Sequence, residues 1–317
     1  MRTVPCEGIG PVSALGFGCA SLGSRVSSKR GRVAIERALR AGVTWFDVAP
    51  SYGDGKAEEI LGAALRGVDV AIATKVGLVA PPAHPLKRAV AAIARPLIAA
   101  IPALRPLAKR LRPAAAERLP LDAETIRVSV FRSLERLGVD SVAMLALHDP
   151  SLEDIANEDV ARAVADIRDQ GLAARTAIAG AAEICTAAAA QGFPFDIAQV
   201  ANSPFDRGLR AAAAAAPFTI THSVFGVAGA LSKLREMMRD AAAFHAAIAA
   251  LGYEDPAALL MAYAFAANPN GVVIASGYAA GHLAANAALA SRPPDPDLVA
   301  AVDRLVAASG ASGGQGG

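Results

Sequence analysis

Four polar residues stand at or just past the C-terminal ends of strand-like, apolar runs. Asp47 closes the run 44–47, and Tyr52 follows in the turn Ala49-Pro50-Ser51-Tyr52-Gly53. Lys75 closes 70–75, and His148 closes 142–148. Side chains at the same end of adjacent parallel strands share one mouth, where a carboxylate, a phenol, an ammonium and an imidazole can move a proton together. A phenol with a pKa of ~10 is a poor acid near neutrality, and an adjacent ammonium lowers that value by favouring the phenolate. Lys75 can serve Tyr52 in this way, with Asp47 holding Lys75 charged and in place. His148 can hydrogen-bond a substrate oxygen and orient it. Such a set protonates an oxygen while hydride reaches the attached carbon. Side chains cannot supply hydride, so the chemistry requires a nicotinamide.

These residues need a scaffold of parallel strands, and the chain carries one. Eight apolar runs, at residues 14–18, 44–47, 70–75, 142–148, 175–179, 197–200, 218–223 and 272–275, lack the alternation of half-exposed strands. Helical patterns lie between them, ending at Gly42, before Gly67, at Gly138 and at Gly171. Eight strands alternating with helices predict an α/β fold of the (β/α)8 TIM-barrel type, with its site at the C-terminal strand ends. A doubly wound sheet is the rival, but Gly16-Phe17-Gly18-Cys19-Ala20-Ser21 lacks the third glycine of a phosphate-binding turn. The expected domain is 1–308, with an insertion at 78–120 after the third strand on the active-site face and a flexible Gly/Ser tail at 309–317. From 86 to 118 the insertion carries eight basic residues against one acid, Glu117. A solvated basic helix pair is its plainer reading, and a lid attracting anionic substrates is the sharper one.

Bulk properties exclude several classes. The 317 residues are 54% hydrophobic and 19% charged, enough for a large core. A net charge of +2 gives no footprint for nucleic acid. Cys6, Cys19 and Cys185 are odd in number and far apart, which argues against a disulfide framework or a metal site and suits the cytoplasm. No stretch reaches the ~18 to 20 apolar residues that span a bilayer. The prolines of the insertion break any long membrane-lying helix there. The expected partner is a small molecule.

The blocks around the four residues resemble the aldo-keto reductase superfamily. They are Phe46-Asp47-Val48-Ala49-Pro50-Ser51-Tyr52-Gly53, Glu59-Ile60-Leu61-Gly62, Ala73-Thr74-Lys75, the run from Ser133 to Asp140, and Leu145-Ala146-Leu147-His148. The resemblance spans about residues 15–286. It implies a (β/α)8 barrel that binds NADPH in extended form and interconverts aldehydes, ketones or sugars with their alcohols. Asp47, Tyr52, Lys75 and His148 match its catalytic tetrad. Gln199 matches the glutamine that bonds the nicotinamide amide, and His222, followed by Ser223, stands where an aromatic residue stacks on that ring. Ser276, Gly277, His282 and Asn286 match the adenosine-phosphate loop and helix. Many members carry Lys at the position of Ser276 and Arg at that of His282 to grip the 2′-phosphate. Neither charge is present, so the resemblance implies NADP(H) while the residues leave NAD(H) open.

Each of the four residues has an ordinary structural reading alone, such as a turn aspartate or a strand-end lysine. As a spaced set they favour chemistry. Two other functions are consistent with a barrel: a lyase using Lys75 as a Schiff-base nucleophile, and a slow or non-catalytic nucleotide-binding barrel acting as a redox sensor.

Overall fold

A computed structural model describes residues 1–81, 116–226 and 229–312. Eight strands close into a barrel in the order β3 (Leu15–Gly18), β4 (Trp45–Asp47), β5 (Ala71–Val76), β8 (Val142–His148), β9 (Ala173–Ala179), β10 (Ile197–Ala201), β11 (Phe218–His222) and β12 (Val272–Ala275). Every pairing is parallel, and the β12–β3 ladder, with Val273 opposite Leu15, seals the ring. The eight runs expected from the sequence are these eight strands: 142–148 and 272–275 coincide with theirs, and the other ends fall within two residues.

Strand alternation sorts the side chains into two cores. Trp45, Ala73, Met144, Ala146, Ala177, Ile197, Ile220, Val272 and Ile274 form one buried cluster inside the barrel. Phe17, Phe46, Ile72, Leu145, Leu147, Ile178, Val200 and Val273 belong to the cluster shared with the surrounding helices. Of two neighbouring aromatic residues on β4, Phe46 packs between barrel and helices and Trp45 fills the barrel. A hairpin of β1 (Thr3–Cys6) and β2 (Gly10–Ser13) precedes β3, and its Val4, Cys6 and Val12 join the interior cluster. It plugs the end of the barrel opposite the site.

Local signals set the helix boundaries. Ser27 caps Ser28–Arg40, and Asp122 caps Ala123–Leu137 by accepting from the Thr125 amide. Gly138, at φ 68°, stops the second of these in the left-handed region that glycine enters without a Cβ clash. The last helix, Pro296–Ser312, passes the 308 boundary, so the tail expected from 309 begins as helix. The alanine-rich run before it propagates the helix; residues 313–317 lie outside the described residues.

Both ends of the insertion leave from the C-terminal end of β5. There β6 (Leu78–Val79) pairs antiparallel with β7 (Glu117–Arg118). The basic lid read at 86–118 falls almost wholly outside the described residues.

Candidate active site

Barrel geometry puts a polar layer on top of the apolar interior. Ala73 and Lys75 share one face of β5, and Met144, Ala146 and His148 share one face of β8, because side chains two apart point the same way. On β10 and β11 the same rule places Gln199 above Ile197 and His222 above Ile220. Asp47, Lys75, His148, Gln199 and His222 therefore meet at the C-terminal mouth. Tyr52 arrives from outside the strands, on a short 3₁₀ turn, Tyr52–Gly55, entered by a Tyr52 amide bond to the Ala49 carbonyl. Gly53 follows it at φ 63°, where a Cβ would lie 1.7 Å from the Leu22 carbonyl oxygen. Only glycine lets the turn approach so closely.

The mouth opens into a cavity of about 730 Å³ whose wall includes Asp47, Tyr52, Lys75, His148, Gln199, His222, Ser223 and Ser276. Of the other positions inferred from resemblance, Gly277 packs against Leu283, Asn286 is buried on helix Ala280–Ala290, and His282 is exposed on that helix. None of the three lines the cavity. The wall also includes Arg25 and Asp149, which the sequence reading missed. Both follow strand ends in segments without a periodic signal. Proximity of Asp149 to His148 was the only pointer.

At the centre is a buried ion pair. Lys75 Nζ donates to both Asp47 carboxylate oxygens at 2.7 Å and to the Val48 carbonyl at 3.2 Å, and Gln199 Nε2 donates to Asp47 Oδ2 at 2.8 Å. Asp47, Lys75 and Gln199 are each at most 3% exposed. Burial alone would lower the Lys75 pKa, but the Asp47 charge and the Tyr52 phenol outweigh it, so the ammonium is held above its ordinary value. Lys75 Nζ lies 5.0 Å from the Tyr52 ring centroid.

Tyr52 differs from expectation in one respect. Burial raises its pKa, the Lys75 charge and hydrogen bond pull it down, and burial wins. Tyr52 is thus held as a neutral phenol. The Tyr52 and His148 rings meet edge to face, with centroids 6.0 Å apart.

His148 is held neutral. Burial, then the Lys75 charge, lowers its pKa from 6.5 to about 3. Its Nδ1 is buried without a partner among the described residues. A proton there would be a buried, unsatisfied donor, a penalty of about 1–3 kcal/mol, so the proton belongs on Nε2. Because the folded value is depressed, the unfolded chain binds more protons between pH 6.5 and about 3. Stability contributed by neutral His148 is present above that window and is lost as pH falls through it. Urea unfolding across this range is expected to show a steeper acid loss for the wild type than for His148→Gln.

His222 Nδ1 shares a 2.8 Å hydrogen bond with the Ser223 hydroxyl. Burial lowers its pKa despite the opposing charge of Asp47. Ser223, at φ 59°, and Asp149, at φ 52°, follow the two cavity histidines. For non-glycine residues this backbone region is strained, and such strain clusters at functional sites.

One buried atom tests whether the site fits a nicotinamide. Gln199 Oε1 has no hydrogen-bond partner among the described residues, although Gln199 lines the cavity. An acceptor left bare in a cavity wall suits the amide N–H of a carboxamide.

Residues 14–307 match the profile of the aldo/keto reductase family. The chain belongs to that family. Within this aldo/keto reductase chain, segments resemble curated relatives. An uncharacterized oxidoreductase of Mycobacterium tuberculosis is 41% identical over 90 residues, covering 26% of this chain and 28% of the relative. D-threo-aldose 1-dehydrogenase of a Pseudomonas species is 29% identical over 163 residues, 45% of this chain and 42% of the relative. L-galactose dehydrogenase of Arabidopsis thaliana is 29% identical over 160 residues, 47% and 39% respectively. The chain thus matches less than half the length of each. Whole-fold similarity is broader. A glycerol dehydrogenase of Gluconobacter oxydans superposes with a TM-score of 0.73 at 18% identity, covering 96% of this aldo/keto reductase and 95% of that chain. An aldo-keto reductase of Klebsiella pneumoniae in complex with NADPH gives 0.68 at 20% identity, covering 96% and 94%. Among the described residues no helix is long and apolar enough to cross a membrane.

Proposed function

We propose that this chain is an NAD(P)(H)-dependent oxidoreductase interconverting an aldehyde or ketone with its alcohol. Tyr52 is its acid in reduction and its base in oxidation. The observation that carries the reading is the Tyr52 phenol set beside a buried Lys75–Asp47 pair on the wall of one cavity. Gln199 would hold a bound nicotinamide at its amide, and that group would supply or accept the hydride. His148, neutral and protonated on Nε2, donates a hydrogen bond to the carbonyl oxygen and holds it for Tyr52. Tyr52 passes its phenolic proton to that oxygen. The phenolate that remains is stabilised by Lys75, whose charge Asp47 fixes in place. In oxidation the same groups run in reverse.

The other two functions draw less support. A Schiff-base lyase needs a neutral lysine, whereas Asp47 keeps Lys75 protonated. A non-catalytic sensor has no need of four reactive groups in register around one cavity. For the substrate, the two named relatives act on sugars, and hydroxyl-binding groups at Asp149, His222, Ser223 and Ser276 line the cavity. A hydroxylated carbonyl or its alcohol is the class to test first. The decisive screen sets aldehydes, ketones and aldoses against both nicotinamides in both directions. Carbonyl-dependent oxidation of NADPH or NADH, or alcohol-dependent reduction of the oxidised forms, is the expected result. No turnover with any pair would remove the proposal.

A further inference from the structure

Among the described residues on the cavity wall, two are Lys or Arg: Lys75 and Arg25. Their electrostatic situations are opposite. Lys75 is neutralised by Asp47 at 2.7 Å. Arg25 has no carboxylate partner among the described residues; its Nη2 donates to the Ser21 hydroxyl at 2.6 Å. A guanidinium offers five N–H groups, so this bond aims the fork and leaves most of its donors free. An exposed guanidinium at a cavity wall, with no carboxylate partner among the described residues, suits a bidentate anion.

Its position says which anion. Ser276 Oγ and Tyr278 Oη both donate to the Gly18 carbonyl, at 2.9 and 3.3 Å, which ties the end of β12 to the end of β3. Arg25 belongs to the same rim, because it shares the cavity wall with Gly18 and Ser276 and bonds to Ser21, three residues past the end of β3. In the barrel order β12 lies diametrically across from β8, the strand that carries His148. The cation is therefore on the far side of the mouth from the imidazole that would hold a carbonyl. An anionic group on the substrate would sit by His148. A long ligand whose ring lies by Gln199 and Asp47 can place its phosphates at the β12–β3 rim. At that rim Ser276 is neutral, and His282 does not line the cavity.

We propose that Arg25, oriented by Ser21, holds a phosphate of the nicotinamide dinucleotide at the β12–β3 rim and supplies the charge that positions 276 and 282 lack. This rests on the oxidoreductase reading above. The test is a fluorescence titration of NADPH and NADH binding to the full chain and to its Arg25→Gln and Arg25→Lys variants, without any carbonyl substrate. A charge-assisted hydrogen bond of about 1.5–3 kcal/mol corresponds to a ~10- to 100-fold rise in Kd for Arg25→Gln. Arg25→Lys, which keeps the charge but loses the fork, recovers part of it, and added salt narrows the gap between wild type and Arg25→Gln. Loss for NADPH alone places the contact on the 2′-phosphate, and equal loss for both nucleotides places it on the pyrophosphate; either result upholds the proposal. Unchanged Kd values for both nucleotides in Arg25→Gln, beside a wild type that binds them, overturn it. A wild type that binds neither nucleotide overturns the oxidoreductase reading as well.

Discussion

Tyr52→Phe lowers turnover by about 10²- to 10⁴-fold, the size expected when a positioned general acid is removed. The ring and its packing against His148 are kept, so the fold and the affinity for nicotinamide nucleotide stay at wild-type levels. The loss falls on kcat, because the phenolic proton is needed only as the carbonyl oxygen gains charge. Two measurements separate this from a structural effect: single-turnover oxidation of bound NAD(P)H with a carbonyl in excess, and the nucleotide Kd. A variant with unaltered turnover would remove Tyr52 from the mechanism, and one that had lost nucleotide binding would make its role structural.

Lys75→Met should show the second large effect, on stability as well as rate. Lys75 and Asp47 are almost completely buried, and the ammonium contacts both carboxylate oxygens at 2.7 Å. Removing one partner leaves Asp47 a buried charge whose remaining side-chain partner among the described residues is the Gln199 amide, and such breakage costs about 3–5 kcal/mol. The double variant Asp47→Asn, Lys75→Met buries no lone charge, so much of that loss should return while activity does not. Urea unfolding of both variants provides the check. A single variant as stable as wild type would mean that the pair is far more solvated than its geometry shows. Recovered activity in the double variant would separate Lys75 from the chemistry.

The barrel was legible because its strands are buried on both faces. An aspartate, a lysine or a histidine closing such a run is conspicuous, and Asp47, Lys75 and His148 each close one. Tyr52 was legible through its turn, and the resemblance supplied Gln199 and His222. What escaped notice did so for identifiable reasons. The hairpin of β1 and β2 has Pro5 opposite Pro11 and Gly10 at its edge, residues that read as punctuation rather than strand. The two-residue pairing of Leu78–Val79 with Glu117–Arg118 joins positions too far apart for a local signal. Arg25 and Asp149 lie in connections, where only closure of the barrel brings them to the cavity. The acidity of Tyr52 could not be judged from its neighbours in the chain. Lys75 pulls as expected, but the extent of burial is a tertiary fact, and burial sets the direction.

The proposed reaction is a paired transfer, hydride to carbon and the Tyr52 proton to oxygen. The most direct measurement supplies the wild type and Tyr52→Phe with nicotinamide nucleotide deuterated at the ring's hydride position, together with a carbonyl the wild type accepts. The product is then examined by mass spectrometry and NMR. The predicted result is deuterium on the carbinol carbon for the wild type and product formation lowered by orders of magnitude for Tyr52→Phe. Product without deuterium, or wild-type product formation by Tyr52→Phe, would contradict it.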